Sequence, residues 1–212
     1  MDKKAVLYSD FNADARDEVM GFLEEEFGKG KPERLVMEDG KQEYIDACAM
    51  LLESSDEPCA IVTLGMGARE MEAPEGCFKR VELVMSAAPM GKGGTAIDRM
   101  IFSWELQELC KVPFAEDTWF GPFRTAKVSL SFRKSFGYAG FLFLPYHRAV
   151  TVKGVGDVGI LFMLPLYGDE MAWIRSRKDG GKRFAEAYLD TVSEDEPIGW
   201  VDVRRKHFLP EE

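Results

Sequence analysis

The sequence has few of the residues on which metal sites and nucleophilic sites depend. It has two histidines, His147 and His207, and neither has a cysteine or a second histidine at zinc-ligand spacing. No G-x-S-x-G motif and no cysteine in a turn before a helix supplies a nucleophile with a base in reach. We therefore expect no metal, no cofactor and no catalytic residue.

Cysteine is scarce and unpaired in the sequence. The four cysteines form no C-x-x-C pair, and three of them lie in or beside apolar runs, which favours reduced, buried thiols over a redox or disulfide role. They are Cys48, Cys59, Cys77 and Cys110.

Long apolar runs are also missing. No segment approaches the roughly 20 apolar residues that span a bilayer, and the N-terminus lacks the apolar segment and cleavage site of a secretory signal. A hydrophobic content of 46% over 212 residues is typical of a soluble chain with one well-buried core. We expect a single domain over residues 1–212, with residues 1–32 as an N-terminal helical extension packed on it, located in the cytoplasm.

Positive charge is in short supply. The formal net charge of −10 argues against a general nucleic-acid binder, because attraction to phosphates needs a basic face. Residues 1–57 carry sixteen acidic and seven basic side chains, whereas residues 117–153 carry one acidic and six basic. The acidic part is either a solvated surface or a landing face for a basic protein. We expect a protein partner, no nucleic acid, no membrane, and a monomer or weak dimer.

Two apolar, β-branched runs at residues 58–71 and 79–89 predict the centre of a sheet. The turn residues 73–76 join them, so the two strands should be antiparallel. Upstream, residues 34–38 and 43–52 predict two further strands around a turn at Asp39-Gly40. Together the four strands should form a meander. Its expected core residues include Ile61, Val62, Leu64, Val81, Leu83 and Val84.

Helical periodicity predicts the elements that cover this sheet. Residues 11–28 carry an apolar stripe and end at Gly28, and residues 29–32 are expected to be a linker. Residues 95–110 predict an amphipathic helix, and residues 169–192 predict two more helices. The stripe of the first helix is Val19, Phe22, Leu23 and Phe27, and the second helix bears Ile97, Ile101, Trp104 and Leu109.

The remaining pattern completes the fold class. Residues 157–166 predict a strand, residues 140–144 predict another, and residues 127–132 a third. The sequence therefore predicts an α+β fold, with a mixed, mainly antiparallel β-sheet flanked by α-helices.

Two glycine-rich stretches share letters with phosphate-binding loops. Residues 154–159 fit G-x-G-x-x-G but open a predicted strand, whereas a dinucleotide site needs those glycines to open a helix. Residues 90–95 lie between a strand and a helix, where an anion could bind at the helix start with Lys92, but they lack the spacing of a Walker loop. A flexible turn at residues 154–159 and a plain connection at residues 90–95 are the simpler interpretations.

Two carboxylates, Asp46 and Glu82, lie inside apolar strands. A buried pair of carboxylates is the arrangement in this sequence that could perform acid–base chemistry. Alternatively, each carboxylate faces solvent or pairs with an arginine such as Arg69, Arg80 or Arg204, because a buried charge must be paired. Both the structural and the functional interpretation stay open at this point.

Residues 112–146 are irregular and rich in aromatic side chains, most of which should pack into the core. Within them, Trp119-Phe-Gly-Pro-Phe-Arg124 is constrained by glycine and proline and ends on a cation. Trp and Arg dominate the energetics of protein interfaces, so this segment is the best candidate for an exposed anchor. The predicted partner-binding residues are Trp119, Phe120, Phe123, Arg124, Asp46 and Glu82.

Four stretches carry a family resemblance. The central one is Thr63-Leu-Gly-Met-Gly-Ala68, followed by Met71, Pro74 and Arg80-Val-Glu-Leu-Val84. The others are Tyr44-Ile-Asp46, Leu164-Pro-Leu-Tyr-Gly-Asp-Glu170 and Val201-Asp-Val-Arg-Arg205. In this order, over about residues 33–208, they resemble the suppressor-of-fused domain family, and its bacterial members most.

The resemblance implies a non-catalytic protein-binding domain. Eukaryotic suppressor of fused sequesters a transcription factor by binding a short extended peptide, but this sequence offers no counterpart of the eukaryotic C-terminal domain. Stand-alone bacterial relatives are thought to be immunity proteins of polymorphic toxin systems. The resemblance therefore implies an acidic, cytoplasmic immunity-type inhibitor that neutralises a partner toxin, with a basic toxin as the expected partner.

Two alternatives remain open beside this hypothesis. One is a regulatory adaptor that binds a peptide without blocking a toxin. The other is a small-molecule enzyme or sensor that uses Asp46, Glu82 and the loop at Lys92. A deep pocket in which both carboxylates converge would favour the second alternative.

Overall fold

A computed structural model describes residues 13–33, 46–51, 59–87, 96–192 and 206–210. Within these ranges, seven strands form one sheet, accompanied by helices and a short 3-10 turn. The strands are β1 (Lys29–Glu33), β2 (Asp46–Leu51), β3 (Cys59–Leu64), β4 (Val81–Ala87), β5 (Thr125–Lys127), β6 (Gly140–Val152) and β7 (Gly156–Leu166). The helices are α1 (Ala13–Phe27), α2 (Ala96–Leu109), α3 (Val112–Ala115), α4 (Leu130–Phe136), α5 (Gly168–Arg175) and α6 (Gly180–Leu189).

The first four strands form an antiparallel meander. Cys48 pairs with Val62 between β2 and β3, and Ile61 pairs with Met85 between β3 and β4. The predicted meander is thus confirmed for β2, β3 and β4. The predicted strand at residues 34–38 and the turn at Asp39-Gly40 lie outside the described residues.

The linker predicted at residues 29–32 is wrong, because these residues form strand β1. Lys29 pairs with Leu51 and Pro32 pairs with Cys48 across the β1–β2 ladder. Among the described strands β1 lies at the edge of the sheet, which is the position where a proline such as Pro32 is tolerated. Pairing with β2 therefore overrides the weak strand propensity of glycine and proline in this segment.

The second half of the chain completes a mixed sheet with the order β1-β2-β3-β4-β7-β6-β5. β4 and β7 run parallel, with Val81 opposite Gly159, and every other neighbouring pair of described strands is antiparallel. β6 and β7 form a long hairpin, and Gly154 in its turn and Gly156 at the start of β7 have positive φ angles of 78° and 106°. The α+β prediction with a mainly antiparallel sheet is confirmed, and the G-x-G-x-x-G letters begin in a hairpin turn and continue into β7.

Each face of the sheet carries its own buried core. On one face, α1, α5 and α6 pack against the strands, and the predicted α1 stripe is buried as expected. On the other face, α2 and α4 contribute Phe102, Leu106 and Phe132. The predicted face of α2 is confirmed at Leu109, which is buried, and wrong at Trp104, which is 47% exposed. The helix is rotated so that Phe102 and Leu106 face the sheet in place of Trp104.

The strand predicted at residues 127–132 is also wrong. Ser129 ends the extended segment and caps α4, because its hydroxyl oxygen accepts a hydrogen bond of 3.2 Å from the N–H of Phe132. Gly137 then ends the helix in the left-handed conformation. The strands predicted at residues 140–144 and 157–166 are confirmed as parts of β6 and β7.

Polar contacts attach the acidic side of α1 to the β6–β7 hairpin. Glu26 accepts a hydrogen bond from the Tyr146 hydroxyl and pairs with Arg148, which also lies 3.3 Å from Glu25. Glu18 accepts a hydrogen bond of 2.8 Å from the backbone N–H at residue 153. Part of the acidic N-terminal charge is therefore used within the fold.

No helix in the described ranges is long and apolar enough to cross a membrane.

Candidate functional site

The carboxylate of Glu82 on β4 is fully buried and accepts four hydrogen bonds. The Thr63 hydroxyl donates at 2.5 Å, and the backbone N–H groups of Gly65, Met66 and Gly67 donate at 2.9, 3.3 and 3.0 Å. The amides converge because β3 ends at Leu64 and the next residue, Gly65, has a φ of 110° that turns the chain into the 3-10 turn Met66–Ala68. Glu82 therefore satisfies the free donors at the start of that turn.

Arg80 binds the opposite side of the same turn. Its guanidinium donates hydrogen bonds to the carbonyl oxygens of Gly67 and Ala68, at 3.1 and 2.5 Å, and lies 3.6 Å from the carboxylate of Glu70. Residues 65–68 are thus held through their amides by Glu82 and through their carbonyls by Arg80. We call this arrangement the turn clamp.

Close packing fixes the backbone of the turn clamp. A Cβ atom at Gly67 would lie 2.7 Å from Cγ1 of Val158 and 3.3 Å from Oε1 of Glu82. A side chain at this position would force Val158, Glu82 or the turn itself to shift. The close packing around Gly67 therefore favours glycine.

Burial controls the protonation of Glu82. Removal from water raises the pKa of its carboxyl from 4.5 to about 7, and the hydrogen bonds from Thr63 and the turn amides counteract part of that rise. An arginine was one predicted partner for the Glu82 carboxylate. This prediction is wrong, because the Thr63 hydroxyl and the backbone amides of the turn hold the carboxylate. With all of its acceptor sites used, the Glu82 carboxylate has no free position for a substrate.

Asp46 belongs to a different strand from Glu82. Its backbone pairs with Leu64 on β3, and β3 separates β2 from β4, so the two backbones are about 10 Å apart. The side chain of Asp46 lies outside the described part of the structure. A surface cavity of about 420 Å³ lies between residues 70–80 and the β6–β7 turn, and Glu82 does not line it.

The predicted anchor segment forms a tight turn before β5. The Arg124 guanidinium stacks on the Trp119 ring at 4.5 Å from its centroid, and the ring covers Gly121, where a Cβ atom would lie 1.9 Å from it. Arg124 is exposed, and Trp119 and Phe123 are half-buried. Phe123 has a left-handed backbone, with a φ of 64°, and donates its N–H to the carbonyl of Phe143.

The structure divides the predicted partner-binding residues into two groups. Trp119, Phe123 and Arg124 reach the surface together. Phe120 is 4% exposed and packs on Phe143 with ring centroids 4.6 Å apart, because it points into the core beside the outward-facing Trp119. Direct contact of a partner with Phe120 or with Glu82 is therefore excluded by burial in this structure.

A second stacked cluster, missed in the sequence, lies beside this segment. A Cβ atom at Gly181 would be 2.0 Å from the carbonyl oxygen of Phe123, so the first turn of α6 packs directly on the segment. Arg177 and Arg183 flank the Trp173 ring at 4.2 and 5.9 Å from its centroid. The basic residues at 175–183 are visible in the sequence. Their contact with Phe123 is not, because the two segments are more than fifty residues apart in the chain.

Comparisons with known proteins agree with the fold and with the resemblance in the sequence. The model of the family "Suppressor of fused protein (SUFU)" matches residues 41–206. Searching the curated proteins by sequence gives no significant match. The polar residues of the resembling hairpin, Thr63, Arg80 and Glu82, are those that build the turn clamp.

Solved structures of the same fold cover most of the chain. A suppressor-of-fused homologue from Neisseria gonorrhoeae superposes with a TM-score of 0.61 at 16% identity, covering 96% of this chain and 100% of that one. A Sufu–Fu complex gives 0.61 at 12% identity, with 91% and 89% covered. Drosophila suppressor of fused gives 0.62 at 11% identity, and the match covers 91% of this chain and 50% of the Drosophila chain. The chain described here belongs to the suppressor of fused protein family.

Proposed function

We propose that this protein is a non-catalytic protein-binding domain and acts as an immunity-type inhibitor that neutralises a partner toxin. The observation that carries the proposal is the surface position of Trp119, Phe123 and Arg124, next to a sheet whose buried carboxylate is already satisfied. Trp and Arg are the residue types that contribute most to protein interfaces. One structure of this fold is a Sufu–Fu complex.

Inhibition of this kind needs a rigid surface and no chemical step. The turn clamp and the two cores fix the sheet, and the anchor segment is attached to it through the hydrogen bond from the Phe123 N–H to the Phe143 carbonyl, 2.7 Å long. The net charge of −10 favours the approach of a basic toxin, and this attraction weakens as salt is added because ions screen exposed charges. Complementary in shape and charge, the protein would then cover the active surface of the toxin.

A regulatory peptide-binding adaptor is the second candidate function. The edge strand β5 pairs with β6 in the described sheet and leaves its outer side available for an added strand. An extended peptide would bind there through backbone hydrogen bonds. A toxin gene beside the gene for this protein would favour the inhibitor, and its absence would favour the adaptor.

The test is co-purification of the full chain from lysate of its native host, followed by mass spectrometry. We expect one specific protein, bound tightly at low salt and released as the ionic strength rises. Replacing Trp119→Ala should weaken capture, whereas Trp104→Ala, which removes an exposed tryptophan on α2, should not. Capture of no specific protein, or equal capture by both variants, would contradict the proposal.

A further inference from the structure

Two arginine–tryptophan stacks lie on either side of one backbone contact. Arg124 stacks on Trp119, and Arg183 lies 5.9 Å from the centroid of the Trp173 ring. Gly181, two residues before Arg183, packs on the carbonyl of Phe123, the residue before Arg124. We call this region the cationic surface. Its members are the exposed Arg124, Lys182 and Arg183 and the half-buried Trp119, Trp173 and Arg177.

The charge of this region is opposite to that of the whole chain. Residues 175–183 contain five basic side chains and one acidic, and residues 124–134 contain four basic and none acidic. Lys127, Arg133 and Lys134, which follow Arg124 on β5 and α4, are all exposed. Among the described ion pairs, Lys182 lies 3.8 Å from Glu186, and both side chains are exposed, so this pair is weak.

The acidic side chains of α1 lie against the β6–β7 hairpin, and some of them already have partners there. Glu25 and Glu26 bind Arg148, and Glu18 binds the β6–β7 turn. These contacts lie on the hairpin, whereas the cationic surface lies at the start of α6. The acidic and basic regions of the described chain are therefore separate surfaces that suit different contacts.

Stacking gives the arginines a fixed orientation. A guanidinium that lies over an indole ring keeps its N–H groups at the rim of the ring, where they donate to a carboxylate in pairs. The indole supplies apolar contact area at the same place. An acidic, partly apolar peptide segment matches both features.

We propose that the cationic surface is the site at which an acidic segment of the protein partner docks. This proposal rests on the proposed protein-binding function and states the chemistry of the contact. A short acidic segment on a protein fits better than a nucleic acid, because the net charge of −10 repels an extended polyanion. The partner can be basic overall and still present such a segment.

The test uses the full chain and a fluorescently labelled peptide of about ten residues, rich in glutamate and leucine, in a buffer of about 20 mM salt where screening is weak. Binding is measured by anisotropy for the wild type, for Arg124→Glu/Arg183→Glu and for the matched control Lys79→Glu/Lys153→Glu. The control changes the net charge by the same amount at exposed positions outside the cationic surface. Circular dichroism and thermal unfolding establish that each variant is folded.

We expect the acidic peptide to bind the wild type and the control alike, and the Arg124→Glu/Arg183→Glu variant at least about tenfold more weakly. A lysine-rich peptide of the same length should not bind this surface. Equal weakening in the control, or no binding of the acidic peptide, would overturn the proposal. Tighter binding of oligothymidylate of equal charge would assign the surface to nucleic acid and would overturn it as well.

Capture of the native partner separates this proposal from the proposed function. If Arg124→Glu/Arg183→Glu captures the partner as well as the wild type does, the protein-binding function stands and the cationic surface is not its site. If the wild type captures no partner, the proposed function fails, and the peptide titration still decides the chemistry of the surface.

Discussion

The hydroxyl of Thr63 donates a hydrogen bond of 2.5 Å to the carboxylate of Glu82 and accepts one of 2.8 Å from the N–H of Leu83. It thereby joins β3, β4 and the 3-10 turn at a point with no access to water. This small polar centre lies within an apolar sheet, and the stability of the protein should depend on it.

Replacing Thr63→Val should lower the free energy of unfolding by about 1–3 kcal/mol, because the isosteric side chain leaves two buried polar groups without this partner. Urea unfolding measures the change. The control is Thr151→Val, which removes an exposed hydroxyl that donates to Asp157 on the hairpin and should change stability little. Similar losses in the two variants would contradict a special role for Thr63.

Stability should fall between about pH 4.5 and pH 7 because of Glu82. Its pKa is raised from 4.5 to about 7 in the folded state, so the folded protein holds a proton that the unfolded chain releases in this range. The contribution of Glu82 to the free energy of unfolding is complete below pH 4.5 and is lost as the pH rises through 7. The free energy of unfolding falls by about 3 kcal/mol over this range. Glu82→Gln does not titrate, so its stability relative to wild type should rise with pH across this range.

Urea unfolding of both proteins at several pH values measures this difference. The pKa of Glu105 is also raised by burial, but Glu105 is present in both proteins and its effect cancels in the comparison. Parallel stability curves for wild type and Glu82→Gln would show that Glu82 is not the titrating group.

Adding a methyl group should have opposite effects at two glycines. Gly67→Ala places a Cβ atom against Val158 and Glu82, so the turn must shift, and we expect a loss of about 1–3 kcal/mol. Gly21→Ala meets nothing within 4 Å on the exposed side of α1, and alanine should stabilise the helix by about 0.5–1 kcal/mol. Thermal unfolding distinguishes the two, and a stable Gly67→Ala protein would show that the turn tolerates a side chain.

Truncating two aromatic side chains to alanine should lower the stability of the protein by very different amounts. Phe120→Ala removes a buried ring beside Phe143 and should cost about 3–5 kcal/mol. Trp104→Ala removes a ring that is 47% exposed and should cost much less. Denaturant midpoints measure both changes. A larger loss for Trp104→Ala would mean that α2 packs through a different face.

Local patterns predicted most of the elements. The α1 stripe, its end at Gly28 and the strands β2 to β4, β6 and β7 follow from periodicity and turn residues within each segment. Strand β1 and the face of α2 were not predictable in this way, because each depends on the element that packs against it.

The arrangement of the candidate site could not be predicted, because it depends on contacts between residues that are far apart in the sequence. Glu82 was identified as a carboxylate inside a strand, but its partners lie 15–19 residues earlier and meet it only through the 3-10 turn. The anchor segment and the basic run at residues 175–183 were each visible, yet the packing of Gly181 on Phe123 joins them across more than fifty residues. The sequence prediction placed Trp119 and Phe120 together in one exposed anchor, whereas the fold buries the Phe120 ring.

Helix α1 precedes the stretch that the family model matches, yet it covers one face of the sheet. Its removal would uncover Phe162, on which the Phe27 ring packs, and would leave Tyr146 and Arg148 without Glu26. A chain trimmed to residues 41–206 should therefore expose an apolar patch and self-associate, and its yield on purification should be low. Expression of this protein for binding studies should begin upstream of Ala13.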